Sequence, residues 1–113
     1  MGFLDKVKAA AKNVDSKAGE EIDKGKYRTK IADERREIEK LYIKLGTAYY
    51  ECRKEDRFLP EDADSICKEI DERKAKIAEY EKKIATIEEE GKKEREQNNA
   101  EAETGSKAKE DSE

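Results

Sequence analysis

Two segments of this chain place apolar residues at alternating spacings of three and four, without a slip in either pattern. The first covers about residues 27–56 and the second about residues 61–90. A 3.5-residue repeat keeps one face of a helix against a partner helix, so each segment is predicted to be one arm of a coiled coil. The seam positions are Ile31, Glu34, Ile38, Leu41, Leu45, Ala48 and Cys52, then Ala63, Ile66, Ile70, Arg73, Ile77, Tyr80, Ile84 and Ile87.

The segment KEDRFLPED, residues 54–62, separates the two arms. Pro60 suits the first turn of a helix, and the acidic residues after it suit the positive end of the helix dipole. Because the connection is short, the arms are expected to pack antiparallel.

Matching apolar to apolar positions predicts a register in which facing residue numbers sum to 114 or 115. Ile38 then faces Ile77, and Leu45 faces Ile70. The register leaves two mismatches, which are Glu34 opposite Tyr80 and Leu41 opposite Arg73.

Residues 1–26 are predicted to form an amphipathic helix and a hinge. Gly19 and Gly25 bracket the segment EEIDKG, where we expect the break. Lysines occupy the surface beside one helical stripe, which consists of Phe3, Val7, Ala11, Val14 and Ala18, with Leu4 next to it.

Gly91 is predicted to end the second arm, since glycine is common just after a helix. Residues 92–113 contain no large apolar side chain and are predicted to be a disordered charged tail. The expected fold is therefore all-α: an antiparallel two-helix coiled-coil hairpin over residues 27–91, with an N-terminal amphipathic helix and a disordered C-terminal tail.

The stretch LYIKLGTAYYE, residues 41–51, is apolar on two sides of its helix. The seam uses only Leu41, Leu45 and Ala48. The other side is predicted to be a contact surface, covered either by residues 3–18 folding back or by a second chain. We name it the tyrosine face, and it consists of Tyr42, Ile43, Gly46, Tyr49 and Tyr50.

Three stretches carry a resemblance to a known group: MGFLDKV, then IEKLYIKLGTAYYE, then ICKEIDERKAKIAEYEKKI. The chain resembles, over roughly residues 1–90, small uncharacterised Gram-positive bacterial coiled-coil proteins with an MGFF/MGFL start and an LYxxIGxxYYE-like helix. Those proteins commonly carry a C-terminal zinc ribbon, but residues 92–113 contain no cysteine, so no metal role carries over. The resemblance implies a hairpin and a bacterial cytoplasmic setting, and it implies no activity.

Half of the residues are charged and only 34% are hydrophobic, which is too polar for a globule with a thick core. No phosphate-binding glycine loop or basic patch interleaved with aromatic residues is present, so we expect no enzyme, cofactor, small-molecule substrate or nucleic-acid partner. Cys52 and Cys67 have no metal-ligand spacing and the chain has no histidine, so a zinc site is not expected. Both cysteines are predicted to be reduced and unbridged.

Two hypotheses of function remain. The first is a helical interaction or scaffold protein that binds a protein partner or itself through the tyrosine face. The alternative is a peripheral membrane protein whose N-terminal helix contacts lipid weakly through Phe3, Leu4, Val7 and Val14. No apolar run reaches the ~20 residues that a spanning helix needs, so the expected location is cytoplasmic, in the alternative at the inner face of the membrane.

Overall fold

The computed structural model describes the backbone of residues 2–111 and the side chains of residues 2–102. This part of the chain consists of two helices, α1 at Gly2–Lys54 and α2 at Ala63–Asp111, and the connection at residues 55–62. The prediction of an all-α antiparallel two-helix hairpin is confirmed. The chain divides into two compact units: a terminal unit, Met1–Lys26 with Lys83–Glu113, and a hairpin unit, Tyr27–Lys82.

The predicted hinge between Gly19 and Gly25 is wrong, because α1 passes through both glycines without a break. A single glycine costs a helix only about 1 kcal/mol relative to alanine, and no proline accompanies either one. Ion pairs one turn apart support this stretch, since Lys17 Nζ lies 2.8 Å from Glu20 Oε2 and Lys24 Nζ lies 2.9 Å from Glu21 Oε1.

The predicted helix end at Gly91 is also wrong, because α2 continues through it. Gly91 is buried, and a Cβ atom there would overlap the Glu20 carboxylate, so the missing side chain makes room for a neighbour. Residues 92–102, predicted to start the disordered tail, are helical as well. For residues 103–113, the expectation of disorder lies outside the part of the chain whose side chains are described.

The core of the hairpin unit forms at the predicted seam. Ile38, Ile66 and Ile70 are buried, and their neighbours Leu41, Leu45 and Ile77 pack against them. Burying one such side chain contributes about 1.5–3 kcal/mol, so this cluster is the main apolar contribution to holding α1 against α2 in the hairpin unit.

The contacts across the hairpin seam fall on both sides of the predicted register. Arg73 Nη1 donates a hydrogen bond to Glu34 Oε2 at 3.0 Å, the ring centroids of Tyr27 and Tyr80 lie 6.0 Å apart, and the residue numbers of both pairs sum to 107. Arg35 Nη2 lies 3.7 Å from Glu81 Oε1, and these numbers sum to 116. Ile77 packs on the cluster that contains Ile38, its predicted partner. The 114/115 register therefore stays a prediction, while Glu34 and Arg73, which were predicted to be mismatches, pair with each other.

The pairing of Glu34 with Arg73 has a physical reason. Apolar matching counted favourable pairs along the seam but left a glutamate and an arginine facing apolar residues. In the structure Glu34 pairs with Arg73, so the two charges that partly leave water compensate each other.

The connection turns sharply after α1. Asp56 has a φ of 58°, and the Arg57 N–H donates to the Cys52 carbonyl at 2.8 Å. The Asp56 N–H donates to the Arg53 carbonyl at 3.3 Å, which completes a Schellman motif. The chain then returns to α2 with Pro60 buried.

The prediction that both cysteines are free is confirmed: Cys52 is buried and Cys67 is exposed.

Candidate interaction surfaces

The tyrosine face points away from the seam of the hairpin unit. Tyr42, Ile43, Tyr49 and Tyr50 keep 49%, 62%, 51% and 58% of their surface exposed. Apart from the two chain neighbours of Gly46 and the backbone of the adjoining helix turns, no described atom lies within 4 Å of where a Cβ of Gly46 would be. These positions are therefore open to a partner, as helical spacing from the seam predicts.

A groove extends this face toward the connection. Its α1 wall consists of Tyr42, Leu45, Gly46 and Tyr49, and its cavity volume is about 490 Å³. Residues 59–67 supply the opposite wall, through Leu59, Pro60, Ala63, Asp64 and Cys67. A concave and largely apolar surface of this kind is where a docking side chain is best shielded from water.

Sequence reasoning missed two residues of this surface. Phe58 is 91% exposed and Leu59 is 59% exposed, and both lie in the connection. Both residues lie beside the end of α1, since Leu59 lines the groove with Tyr42 and Tyr49, and Phe58 lines a neighbouring groove with Tyr49 and Arg53. The one sequence signal was a pair of large apolar residues inside an otherwise charged loop.

Lysines flank two of the exposed rings. Lys54 Nζ lies 4.9 Å from the centroid of the Tyr50 ring, and Lys74 Nζ lies 5.6 Å from that of Tyr42. A hydrogen bond with Tyr42 raises the pKa of Lys74. These contacts hold the rings against the helix surface, so the face combines apolar area with polar groups at its edges.

The structure corrects one of the two predicted covers of the tyrosine face. Because α1 is unbroken from Gly2 to Lys54, residues 3–18 do not fold back along the same helix. The prediction that residues 3–18 cover the tyrosine face is therefore wrong. That a second chain covers this face stays a prediction.

A second apolar surface lies on the terminal unit. It contains the predicted residues Phe3, Leu4, Val7 and Val14, which are 78%, 46%, 48% and 68% exposed. Ile22, which the sequence reasoning did not include, extends the same stripe and is 63% exposed. We call these five residues the N-terminal stripe.

The seam of the terminal unit is polar. Asn13 Nδ2 donates to Asn99 Oδ1 at 2.9 Å, and Asn98 Nδ2 donates to Asn13 Oδ1 at 3.3 Å. Ala9, a small residue, is buried in the same unit. Along this part of α1, small and polar side chains thus occupy the side toward α2.

Glu20 and Lys24 are the two buried charged residues in this seam. The Glu20 carboxylate is 2.8 Å from Lys17 Nζ and 3.3 Å from Arg95 Nη2. The hydrogen bond from Lys17, helped by Arg95, lowers the pKa of Glu20 to about 2. Hydrogen bonds to Glu21 and Glu88 raise the pKa of Lys24. Both groups are held in their charged forms, which indicates a structural ion cluster.

Among the described residues, no cluster of histidine, cysteine, aspartate and glutamate could hold a metal ion. Neither α1 nor α2, over its described length, has an apolar stretch that could cross a bilayer. Comparisons with protein-family models, with curated proteins and with solved structures find no match to this chain.

Proposed function

We propose that this chain is a non-enzymatic helical interaction protein that binds a second copy of itself, or another protein, through the tyrosine face. The observation that carries the proposal is the run of large exposed side chains at one end of the hairpin unit, continuous with an apolar groove. The two free cysteines are compatible with a cytoplasmic setting, which we propose together with this role.

The chemistry of the face favours a protein partner. Tyrosine is enriched at protein interfaces because its ring buries apolar area while its hydroxyl keeps a hydrogen bond. Three tyrosines, Ile43 and the loop residue Phe58 present such area together on one unit. An open groove between α1 and the connection offers a place for an aromatic anchor from the partner.

Gly46 supports the same proposal. It is exposed inside a helix, and nothing in the surrounding structure occupies the space of a side chain. Because the space beside Gly46 is open, no contact within the chain requires glycine at this position. An alanine there would stabilise the helix by about 1 kcal/mol. Close approach of a partner helix or loop is what a missing side chain would permit.

The groove does not resemble a catalytic site. Its ionisable lining residues are Tyr42, Tyr49, Asp64 and Cys67, and it contains no lysine, arginine or histidine. A nucleophile needs a base within hydrogen-bonding distance and a group that orients that base. We therefore propose binding rather than catalysis.

The proposal is tested by substituting the face and measuring mass and stability together. Wild-type protein should form an oligomer in light scattering at micromolar to millimolar concentration. Gly46→Leu and Tyr50→Glu should each shift the mass toward monomer, because one blocks approach and the other places a charge in the interface. Gly19→Ala is the matched control, since Gly19 is also an open glycine within α1.

The control should raise the melting temperature, by helix propensity alone, and leave the mass unchanged. Wild-type protein that stays monomeric up to about 1 mM would rule out self-association. If Gly46→Leu raises stability as Gly19→Ala does and both face variants keep the wild-type mass, then the face is not a contact surface between copies.

A further inference from the structure

The N-terminal stripe is a second outward surface, and its surroundings differ from those of the tyrosine face. We propose that the stripe, residues Phe3, Leu4, Val7, Val14 and Ile22, lies on an anionic lipid surface, with the neighbouring lysines bound to headgroups. The proposal does not depend on whether the tyrosine face binds a second copy.

The first argument is the inverted arrangement of this part of α1. A helix that packs on one neighbour in water normally turns its apolar stripe toward that neighbour. Here Asn13, Glu20 and Lys24 lie on the side toward α2, and the larger apolar side chains are exposed. Packing within the terminal unit therefore does not use the most apolar face of α1, which remains available for a second apolar medium.

The second argument is the shape of the stripe. Its members recur at helical spacing from Phe3 to Ile22, so they extend over about 28 Å of one helix face. Ala11 and Ala18 continue the stripe between the larger residues. A continuous narrow apolar line on an unbroken helix suits an interfacial position, in which the helix lies in the plane of the membrane surface.

The third argument is charge. Measured from the middle of the stripe, Lys6 and Lys17 lie about 100° to one side, and Lys8 and Lys12 lie about 110° to the other side. All four residues are exposed. Basic residues on both flanks of an apolar line complement anionic headgroups, and each such lysine adds attraction that salt weakens.

The same lysines argue against a second copy as the occupant. Lys17 is already paired with Glu20 and Glu21, but two stripes packed face to face would bring six other lysines to the edges of one contact, which are Lys6, Lys8 and Lys12 of each chain. Among residues 2–18, only Asp5 and Asp15 could offset them in each copy. Like charges at the edge of an interface are unfavourable, whereas an anionic surface compensates every lysine at once.

The chain contains no tryptophan, so a single substitution provides a site-specific probe. Phe3→Trp keeps an aromatic side chain on the stripe, and its emission should shift to the blue when the ring enters an apolar layer. We expect this shift with phosphatidylglycerol vesicles. Binding should weaken about tenfold or more in phosphatidylcholine vesicles, or when salt rises from about 50 mM to about 500 mM.

Two variants locate the contact. Val14→Glu in the Phe3→Trp background should reduce vesicle binding about tenfold, with helicity by circular dichroism unchanged, because Val14 is exposed. Tyr50→Trp places the same probe on the tyrosine face and should show no shift with the vesicles. Lys8→Gln with Lys12→Gln should weaken binding to anionic vesicles and leave neutral vesicles unaffected.

The absence of a shift with anionic vesicles, or an equal shift with neutral vesicles, would overturn the proposal. A shift from Tyr50→Trp with none from Phe3→Trp would assign lipid contact to the other surface and would also overturn it. If Val14→Glu lowers the mass in solution without changing vesicle binding, then the stripe is a contact between copies. That last result would leave the tyrosine-face test unaffected, because the tyrosine-face variants do not alter the stripe.

Discussion

The terminal unit and the hairpin unit differ in the side chains that lie between α1 and α2. In the hairpin unit, Ile38, Ile66 and Ile70 are buried between α1 and α2, and tyrosines are exposed. In the terminal unit, an asparagine cluster and Glu20 occupy the seam, and Phe3 and other apolar residues are exposed. The packing positions keep one heptad spacing from Asn13 and Glu20 to Ile31 and Ile38. The comparison shows that the packed side chains of a continuous helix can change from polar to apolar while the spacing of the packing positions is kept.

This difference has consequences for stability. Ser16 Oγ and Arg95 Nη1 in the terminal unit, and Arg73 Nε in the hairpin unit, are buried without a hydrogen-bond partner among the described residues. An unsatisfied buried polar group costs about 1–3 kcal/mol. The hairpin unit instead has a buried isoleucine cluster. We therefore expect the terminal unit to open locally at a lower free energy than the hairpin unit.

The largest expected effect comes from weakening the apolar seam. Ile70→Ala removes a buried side chain from the isoleucine cluster and should cost about 2–4 kcal/mol of unfolding free energy, measured by urea denaturation. Asn13→Ala changes the polar seam at a half-buried position and should cost less than about 1 kcal/mol. Lys44→Ala, at an exposed position of α1 outside the tyrosine face, is the control and should stay within about 0.5 kcal/mol of wild type.

Equal losses from Ile70→Ala and Asn13→Ala would mean that the two seams contribute alike, which contradicts the comparison. Hydrogen exchange adds a second readout. Ile70→Ala should raise exchange in the hairpin unit, and Asn13→Ala should raise it only in the terminal unit.

A charge reversal tests the register of the hairpin unit and has a medium expected effect. Arg73→Glu places a second carboxylate beside Glu34, and both positions are only partly exposed, so stability should fall by about 1–3 kcal/mol. Adding Glu34→Arg restores an opposite pair and should recover most of the loss. Glu69 also contacts Arg73, so Glu69→Gln serves as the control for that weaker contact.

If Arg73 faced Leu41 and not Glu34, the second substitution would recover nothing, and additive losses in the double variant would show this. A coupling energy above about 1 kcal/mol would show that Glu34 and Arg73 belong to one interacting group of side chains.

The helices, their antiparallel packing and the outward direction of the tyrosine face could be predicted from spacing alone, because helical geometry fixes which residues share a side. The pairing of Glu34 with Arg73 could not be predicted, since apolar matching gave no weight to charge pairs across the seam. The polar seam could not be predicted from apolar periodicity, because its residues are not apolar. Gly91 was therefore predicted to end a helix, whereas in the structure it makes room for the Glu20 carboxylate. Phe58 was missed because the path of a loop depends on the register of the helices it joins.

The smallest expected effect is the part of the stability loss at low pH that comes from the Glu20 ion cluster. The folded-state pKa of Glu20, held at about 2 by the hydrogen bond from Lys17 and by Arg95, lies below its ordinary value. The ionised form therefore stabilises the folded state above the ordinary pKa of a glutamate, and this contribution is lost as pH falls toward about 2. Glu20→Gln should flatten the fall in stability between about pH 5 and about pH 2, whereas Glu39→Gln, at an exposed carboxylate of α1, should leave that fall unchanged.

The loss of stability at low pH should appear first as faster exchange of amides in the terminal unit, after correction for the intrinsic rate at each pH. A fall of equal steepness in Glu20→Gln would show that other carboxylates carry the acid response, and the polar seam would then owe little of its stability to the Glu20 cluster.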